Sequence, residues 1–169
     1  MKKASVRLEI SPIRTYTWDK PSRYPILFGG GYRSVYPYTM QDRLLHVAED
    51  RPYKQIVLEN EFIKVIILPE LGGHLWSAYD KVSGKEIFYS NRVVKPGLIA
   101  LRGAWCATGI EWNFPIGHSV STVSEVDHVY YENGDGSVTA VVGDLDRTTR
   151  MKWTVKVTVK PGEVGFHVD

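Results

Sequence analysis

The chain has a single cysteine, Cys106, among its 169 residues, so no disulfide can form within it. One thiol is compatible with a reducing compartment, and a cytoplasmic location is the expectation. Long apolar runs are missing as well. Nothing approaches the ~20 residues that span a bilayer, and the opening "MKKASVRLEISP" has two lysines with no apolar stretch behind them. Neither a signal peptide nor a membrane anchor is expected. Charge of one sign is not concentrated: 21 Lys and Arg intermingle with 19 Asp and Glu, for a net charge of +2. Without a basic run, nucleic acid is a poor candidate partner. Several chemical signatures are also lacking. "FGGGY" at Phe28 to Tyr32 has neither the Gly-Lys-Ser/Thr ending nor the following helix of a phosphate loop. There is no Gly-x-Ser-x-Gly elbow. No His-x-His, His-x-x-x-His or cysteine cluster marks a metal centre, and no metal or cofactor is expected.

Aromatic residues, by contrast, are plentiful: ten Tyr, five Trp and five Phe. Aromatic wealth suits β structure, and an aromatic face can also stack on the apolar C–H face of a pyranose. The hydropathy pattern agrees with strands nearly everywhere. "SVRLEI" alternates, and "QIVLEN" and "FIKVIIL" follow one another across a tight turn at Glu59 to Glu61. "FIKVIIL" is apolar on both faces, as a buried central strand would be. Pro69 ends it; "GGHLWSAYD" and "EIFYS" continue the meander, joined by a turn at Ser83-Gly84. "HSVSTVSEVDHVYYE" reads as a longer strand, and "NGDG" at Asn133 to Gly136 as a hairpin turn. "RMKWTVKVTV" has the clearest alternation, with Met151, Trp153, Val155, Val157 and Val159 on one face.

Residues 14 to 53 lack any sustained period and are rich in Pro, Gly, Tyr and Arg. They read as a long irregular segment with at most one short strand. "MQDRLLHVAED" is the sole helix candidate, without a clean apolar stripe. The expected class is therefore all-β, an antiparallel sandwich over residues 55–169 with residues 1–54 as an irregular arm packed on the sheet. "VGFHVD" starts a strand and stops, which suggests a truncated sandwich or a homodimer that completes the sheet through an open edge.

The stretch "VLENEFIKVIILPELGGHLWSAYDKVSGKEIFYSN", with its strand, "LPELGG" turn and second strand, resembles the opening meander of the galactose mutarotase-like superfamily. That superfamily includes aldose 1-epimerases and sandwich domains of several glycoside hydrolases. The next stretch, from "VVKPGLIALRGAWCATGIEWNFPIGH" to "YYENGDGS", resembles a bacterial family of uncharacterised domains often found ahead of tetratricopeptide repeats. Together the two resemblances cover roughly residues 55 to 169. They imply part of a supersandwich that handles a sugar.

"WCATGIEWNFPIGH" then supplies the candidate site. If the segment is extended, Glu111 and Asn113 share one face and Trp112 points the other way. A carboxylate accepts hydroxyl protons, whereas an amide both donates and accepts, so the pair suits a vicinal diol. Trp105 or Trp76 is placed to supply the stacking wall, and of Trp76, Trp105 and Trp112 two are expected in the core. His118, brought round by Pro115 and Gly117, is a candidate general acid or base. Glu111 and His118 are thus the candidate catalytic residues. Asn113, Trp105, Trp76, Arg102 and His74 are the candidate substrate-binding residues. Arg102 is suited to hold sugar hydroxyls or a carboxylate with its rigid fork, or else to form a salt bridge. His74, after the Gly pair, stands where substrate binding or turn packing would use it. His128 reads as structural. Asp127 and Asp144 are guesses for a second carboxylate.

The expected function is a carbohydrate-binding domain of a glycoside-processing or sugar-epimerising protein, with a mono- or oligosaccharide as partner. The alternative is a non-enzymatic interaction or structural β-domain that self-associates.

Overall fold

The structure, a computed structural model, describes residues 3–18, 23–25 and 35–169; the "FGGGY" stretch lies outside the described residues. The larger sheet contains β1 (Ser5–Trp18), β2 (Leu44–Glu59), β3 (Ile63–Leu68), β4 (His74–Asp80), β5 (Lys85–Glu86) and β6 (Val93–Val94). Its spatial order is β5-β4-β3-β2-β1-β6. Neighbours are antiparallel, except that β6 runs parallel to β1 at Arg14 and Thr15. A small antiparallel pair, β7 (Gly97–Ala100) and β8 (Gly103–Trp105), follows. The second sheet holds β9 (Asp127–Glu132), β10 (Val138–Asp146), β11 (Met151–Val159) and β12 (His167–Val168), in the order β12-β11-β10-β9. The single helical turn among the described residues is the 3-10 turn Pro69–Leu71. No described helix is long and apolar enough to cross a membrane.

The two sheets form an all-β sandwich around one main core. Ile56, Leu58, Ile63, Val65, Ile67 and Leu75 of the larger sheet meet Val138, Ala140, Val142, Trp153, Val157 and Val159 of the second. The alternation of β11 is realised: Trp153, Val157 and Val159 are buried and Lys152, Thr154 and Lys156 exposed. β3 and β4 are covered on both faces. Behind them lies a second core of Ile13, Tyr53, Leu68, Leu71, Trp76, Val94 and Cys106. That double burial explains why β3 has no polar face in sequence. The Asn133 to Gly136 turn closes β9 onto β10 with Gly136 at φ +83°, a conformation that favours glycine.

Within residues 14 to 53, the described stretches 14–18 and 44–53 are strand where the sequence pattern shows no sustained period. β1 and β2 pair from Ser5 opposite Glu59 to Trp18 opposite Leu44. The helix candidate "MQDRLLHVAED" contributes to β2 from Leu44 onward. The sequence hides these strands because most of Leu45 to Pro52 is exposed. An exposed ribbon needs no alternation, and its order comes from the distant partner strand. Two strand readings also shorten. Only Lys85–Glu86 pairs around "EIFYS", and only Asp127–Glu132 of "HSVSTVSEVDHVYYE" is strand, because residues 120–124 form turns.

Asn60 links the sheets at one end. Its Oδ1 accepts from the backbone N–H groups of Phe62 (2.8 Å) and Ile63 (2.9 Å), shaping the β2–β3 turn. Its Nδ2 donates to the carbonyls of Lys160 (2.7 Å) and Glu163 (2.8 Å) in the β11–β12 connection. All of its hydrogen-bonding capacity is used in a buried position. Asn60→Ala is expected to cost about 3 kcal/mol, from four lost bonds of roughly 1 kcal/mol each partly offset by water. Urea unfolding of the variant against the parent measures it. A loss below about 1 kcal/mol would show that the two turns do not depend on this side chain.

Candidate functional site

The site begins at the turn Leu71-Gly72-Gly73, where both glycines have positive φ, +65° and +69°. A Cβ on Gly72 would lie 2.7 Å from the Ser121 carbonyl oxygen, and one on Gly73 would lie 2.9 Å from Val142. The turn is thus pressed against both the 119–124 loop and the second sheet. The Gly73 carbonyl accepts from Trp112 Nε1 at 2.7 Å. One residue further, Leu75 exchanges two backbone hydrogen bonds with Ile110, at 3.1 and 3.0 Å. Gly109 makes that exchange possible. A Cβ there would sit 1.8 Å from the Leu75 carbonyl oxygen, and its φ is +48°. The segment carrying Glu111 is therefore fastened to β4 by its backbone.

Glu111 follows directly. Its Oε2 accepts from Trp105 Nε1 at 3.1 Å and from His118 Nδ1 at 2.6 Å. The Trp105 and His118 rings lie 5.0 Å apart, tilted by 53°. Glu111 is nearly covered, with its side chain 11% exposed, while that of His118 is 33% exposed. With the Nδ1 proton directed at a carboxylate, Nε2 is the nitrogen left to exchange a proton with a ligand. On the inner side, Glu111 Oε1 is buried without a hydrogen-bond partner, and so is His74 Nε2. His74 is fully buried and its Nδ1 donates to the Leu71 carbonyl at 2.5 Å. Burial lowers the His74 pKa, against the Leu71 bond and the Glu111 charge, with the nearby His118 adding to the lowering. Burial, reinforced by Glu111, likewise pushes the Cys106 thiol up to about 12, so Cys106 is an inert neutral neighbour.

The structure gathers four of the seven sequence candidates, Trp105, Glu111, His118 and His74. The other three are elsewhere. Trp76 is buried in the second core and offers no stacking face. Asn113 is exposed, lies against Gly117 and makes no side-chain hydrogen bond among the described residues. Residues 111 to 114 are not strand, so the alternation that paired it with Glu111 does not apply. Arg102 is buried and faces a separate cleft, where Asp127 and Asp144 also lie. His128 is half-buried on β9, its Nδ1 3.4 Å from the Val126 carbonyl. Among the described residues, no three His, Cys, Asp or Glu side chains converge as a metal site. The sequence reading missed Tyr38, Ser124 and Arg147, which join Arg102 from distant segments and carry no local signal.

Residues 31–167 match a protein family described as a domain of unknown function, DUF5107, and the chain belongs to that family. Among solved structures it is similar to a crystal structure of a TPR-domain containing protein from Parabacteroides distasonis ATCC 8503, determined at 2.26 Å resolution. The identity is 28% and the TM-score 0.87, covering 98% of this chain and 28% of that one. This chain thus spans less than a third of its neighbour's length.

The buried His74 has a pH consequence. In the unfolded chain it takes a proton near 6.5, but in the folded chain only at lower pH. The unfolded state therefore binds more protons within that window, and stability falls as pH drops below about 6.5. The His74 contribution to the slope approaches about 1.4 kcal/mol per pH unit. Urea titrations from neutral to mildly acidic pH should show a shallower dependence for His74→Asn. Equal slopes would mean that His74 does not titrate on unfolding.

Proposed function

We propose that this member of a family of unknown function is a carbohydrate-binding domain, centred on Glu111, His118 and Trp105. The observation that carries the reading is the convergence on Glu111 Oε2 of two donors, one from each ring. The carboxylate holds both aromatic groups in place, and the half-buried Trp105 gives a sugar ring a surface beside a polar tip. The glycine-pair turn and the sandwich support the mutarotase-like resemblance, in which such a site handles sugars.

The geometry also supports proton transfer. Glu111 fixes the His118 ring, so Nε2 can take a proton from a sugar hydroxyl and return it. A bound sugar would stack on Trp105 with a hydroxyl directed at His118. In this reading binding comes first, and turnover belongs to the protein that contains the domain.

A thermal-shift screen with mono- and oligosaccharides tests this. A sugar at a hundred times its Kd should add about 2.7 kcal/mol of stability. Trp105→Ala should abolish the shift. Glu111→Gln separates two roles: a catalytic carboxylate loses turnover and keeps binding, whereas a binding carboxylate loses affinity. If no sugar stabilises the parent protein, or if Trp105→Ala leaves the shift intact, the reading fails.

A second reading rests on β9. It ends its sheet with no partner strand on its outer side among the described residues. It also exposes Val129 (53%) and Tyr131 (41%) there. Such an edge suits pairing with a second copy. Sedimentation should then show a concentration-dependent dimer that Tyr131→Lys weakens; a monomer at every concentration would discard the idea.

A further inference from the structure

A second cleft, of about 470 Å³, shares no lining residue with the Glu111 cluster. Arg102 lies on its wall and is 8% exposed. Its Nε donates to the Thr39 carbonyl at 2.6 Å, and its Nη1 to the Val120 carbonyl at 3.2 Å and Ser124 Oγ at 2.9 Å. All three acceptors are neutral. Nη2 has no partner among the described residues, and no described carboxylate lies within ion-pair distance of Arg102. A buried charge without a counter-charge is unusual, because desolvation is normally offset by pairing. Burial pushes this guanidinium down to about 10, and the neighbouring Arg147 adds to the shift.

Arg147 strengthens the case. Its guanidinium lies 5.8 Å from the centre of the Tyr38 ring, and that of Arg102 lies 5.4 Å from the same ring. Two cations therefore gather at one aromatic residue, and neither forms an ion pair among the described residues. Tyr38 is itself fixed: its hydroxyl accepts from the Arg147 N–H at 2.8 Å and donates to Asp146 at 3.3 Å. Asp127 and Asp144 also line the cleft, on adjacent strands. Asp144 Oδ1 accepts from the Leu145 N–H at 2.7 Å; burial raises the Asp144 pKa and the charges of Asp127 and Asp146 raise it further, against the Leu145 bond and the nearby Arg147 charge. Glu125, the third acid of the lining, is engaged by Lys54 at 2.8 Å.

The cleft thus offers unpaired cations together with carboxylates that lack hydroxyl donors. A simple anion would satisfy the first set and be repelled by the second. A neutral sugar would satisfy the second and leave Arg102 unpaired. A hydroxylated carboxylate satisfies both. We propose that this cleft binds an acidic sugar, its carboxylate held by Arg102 and Arg147 and its hydroxyls donating to Asp127 and Asp144. The proposal stands independently of the Glu111 site.

Backbone NMR of the whole chain, titrated with glucuronate, glucose and acetate in turn, separates the possibilities. Glucuronate should shift the amides of Ser124, Asp144 and Arg147. Arg147→Ala alters an exposed side chain and should leave the fold intact, yet weaken glucuronate roughly tenfold or more, as loss of a charge-assisted contact does. Arg102→Lys should also weaken it, because an ammonium cannot reproduce the guanidinium's contacts. Glu111→Gln should leave these shifts unchanged. Glucuronate shifts confined to Trp105 and His118 would overturn the proposal while leaving the Glu111 site standing. So would unchanged affinity in Arg147→Ala, or acetate or glucose binding this cleft as tightly as glucuronate.

Discussion

Two backbone hydrogen bonds between Leu75 and Ile110 hold the candidate site to the core. Everything on the site side of the molecule depends on them. They require a main chain that approaches β4 too closely for any side chain at Gly109. Once made, they put Glu111 one residue beyond a fixed point. Trp112 then reaches the Gly73 carbonyl and its ring packs on the main core. The glycine-pair turn and the Trp-rich segment lie far apart in sequence but form one structural unit.

The same economy appears in the electrostatics. Among the described residues few charged side chains are buried or nearly covered, and Glu111 and Arg102 are two of them. Glu111 is held by two rings on one oxygen, and Arg102 by two carbonyls and a hydroxyl. The Arg102 arrangement is not an ion pair, and the Glu111–His118 contact is one only when His118 carries a proton on both nitrogens. Both leave a charged group oriented and incompletely matched. In a sandwich whose buried clusters are apolar, both mark places where charge is packed against the core.

Much of this was legible in the sequence, and the reasons are local. β11 could be read because one face is buried and the other wet, so periodicity appears directly. The Asn133 to Gly136 turn could be read because positive φ selects its residues. The gathering of Trp105, Glu111 and His118 lay within fourteen residues, close enough for composition to hint at it. What could not be read depended on distant segments. β2 pairs with a strand whose partner residues lie 26 to 54 positions away. Strand alternation does not place Asn113 beside Glu111, because residues 111 to 114 belong to no strand. Trp76 is indistinguishable in sequence from a stacking residue, and only the second core behind the sheet claims it. Arg102 reads as a salt-bridge former, yet the fold supplies it with neutral acceptors.

The length of the β1–β2 ladder carries a consequence for how the chain reaches this state. The last described pair of this ladder, Trp18 and Leu44, lies 26 positions apart in sequence. Closing a span of that length costs entropy before any contact repays it. The β2–β3–β4 meander, with short connections organised by Asn60 and the glycine pair, can form earlier at smaller cost. The first strand in sequence is thus joined to the sheet by contacts of longer range in sequence than those that join β2, β3 and β4.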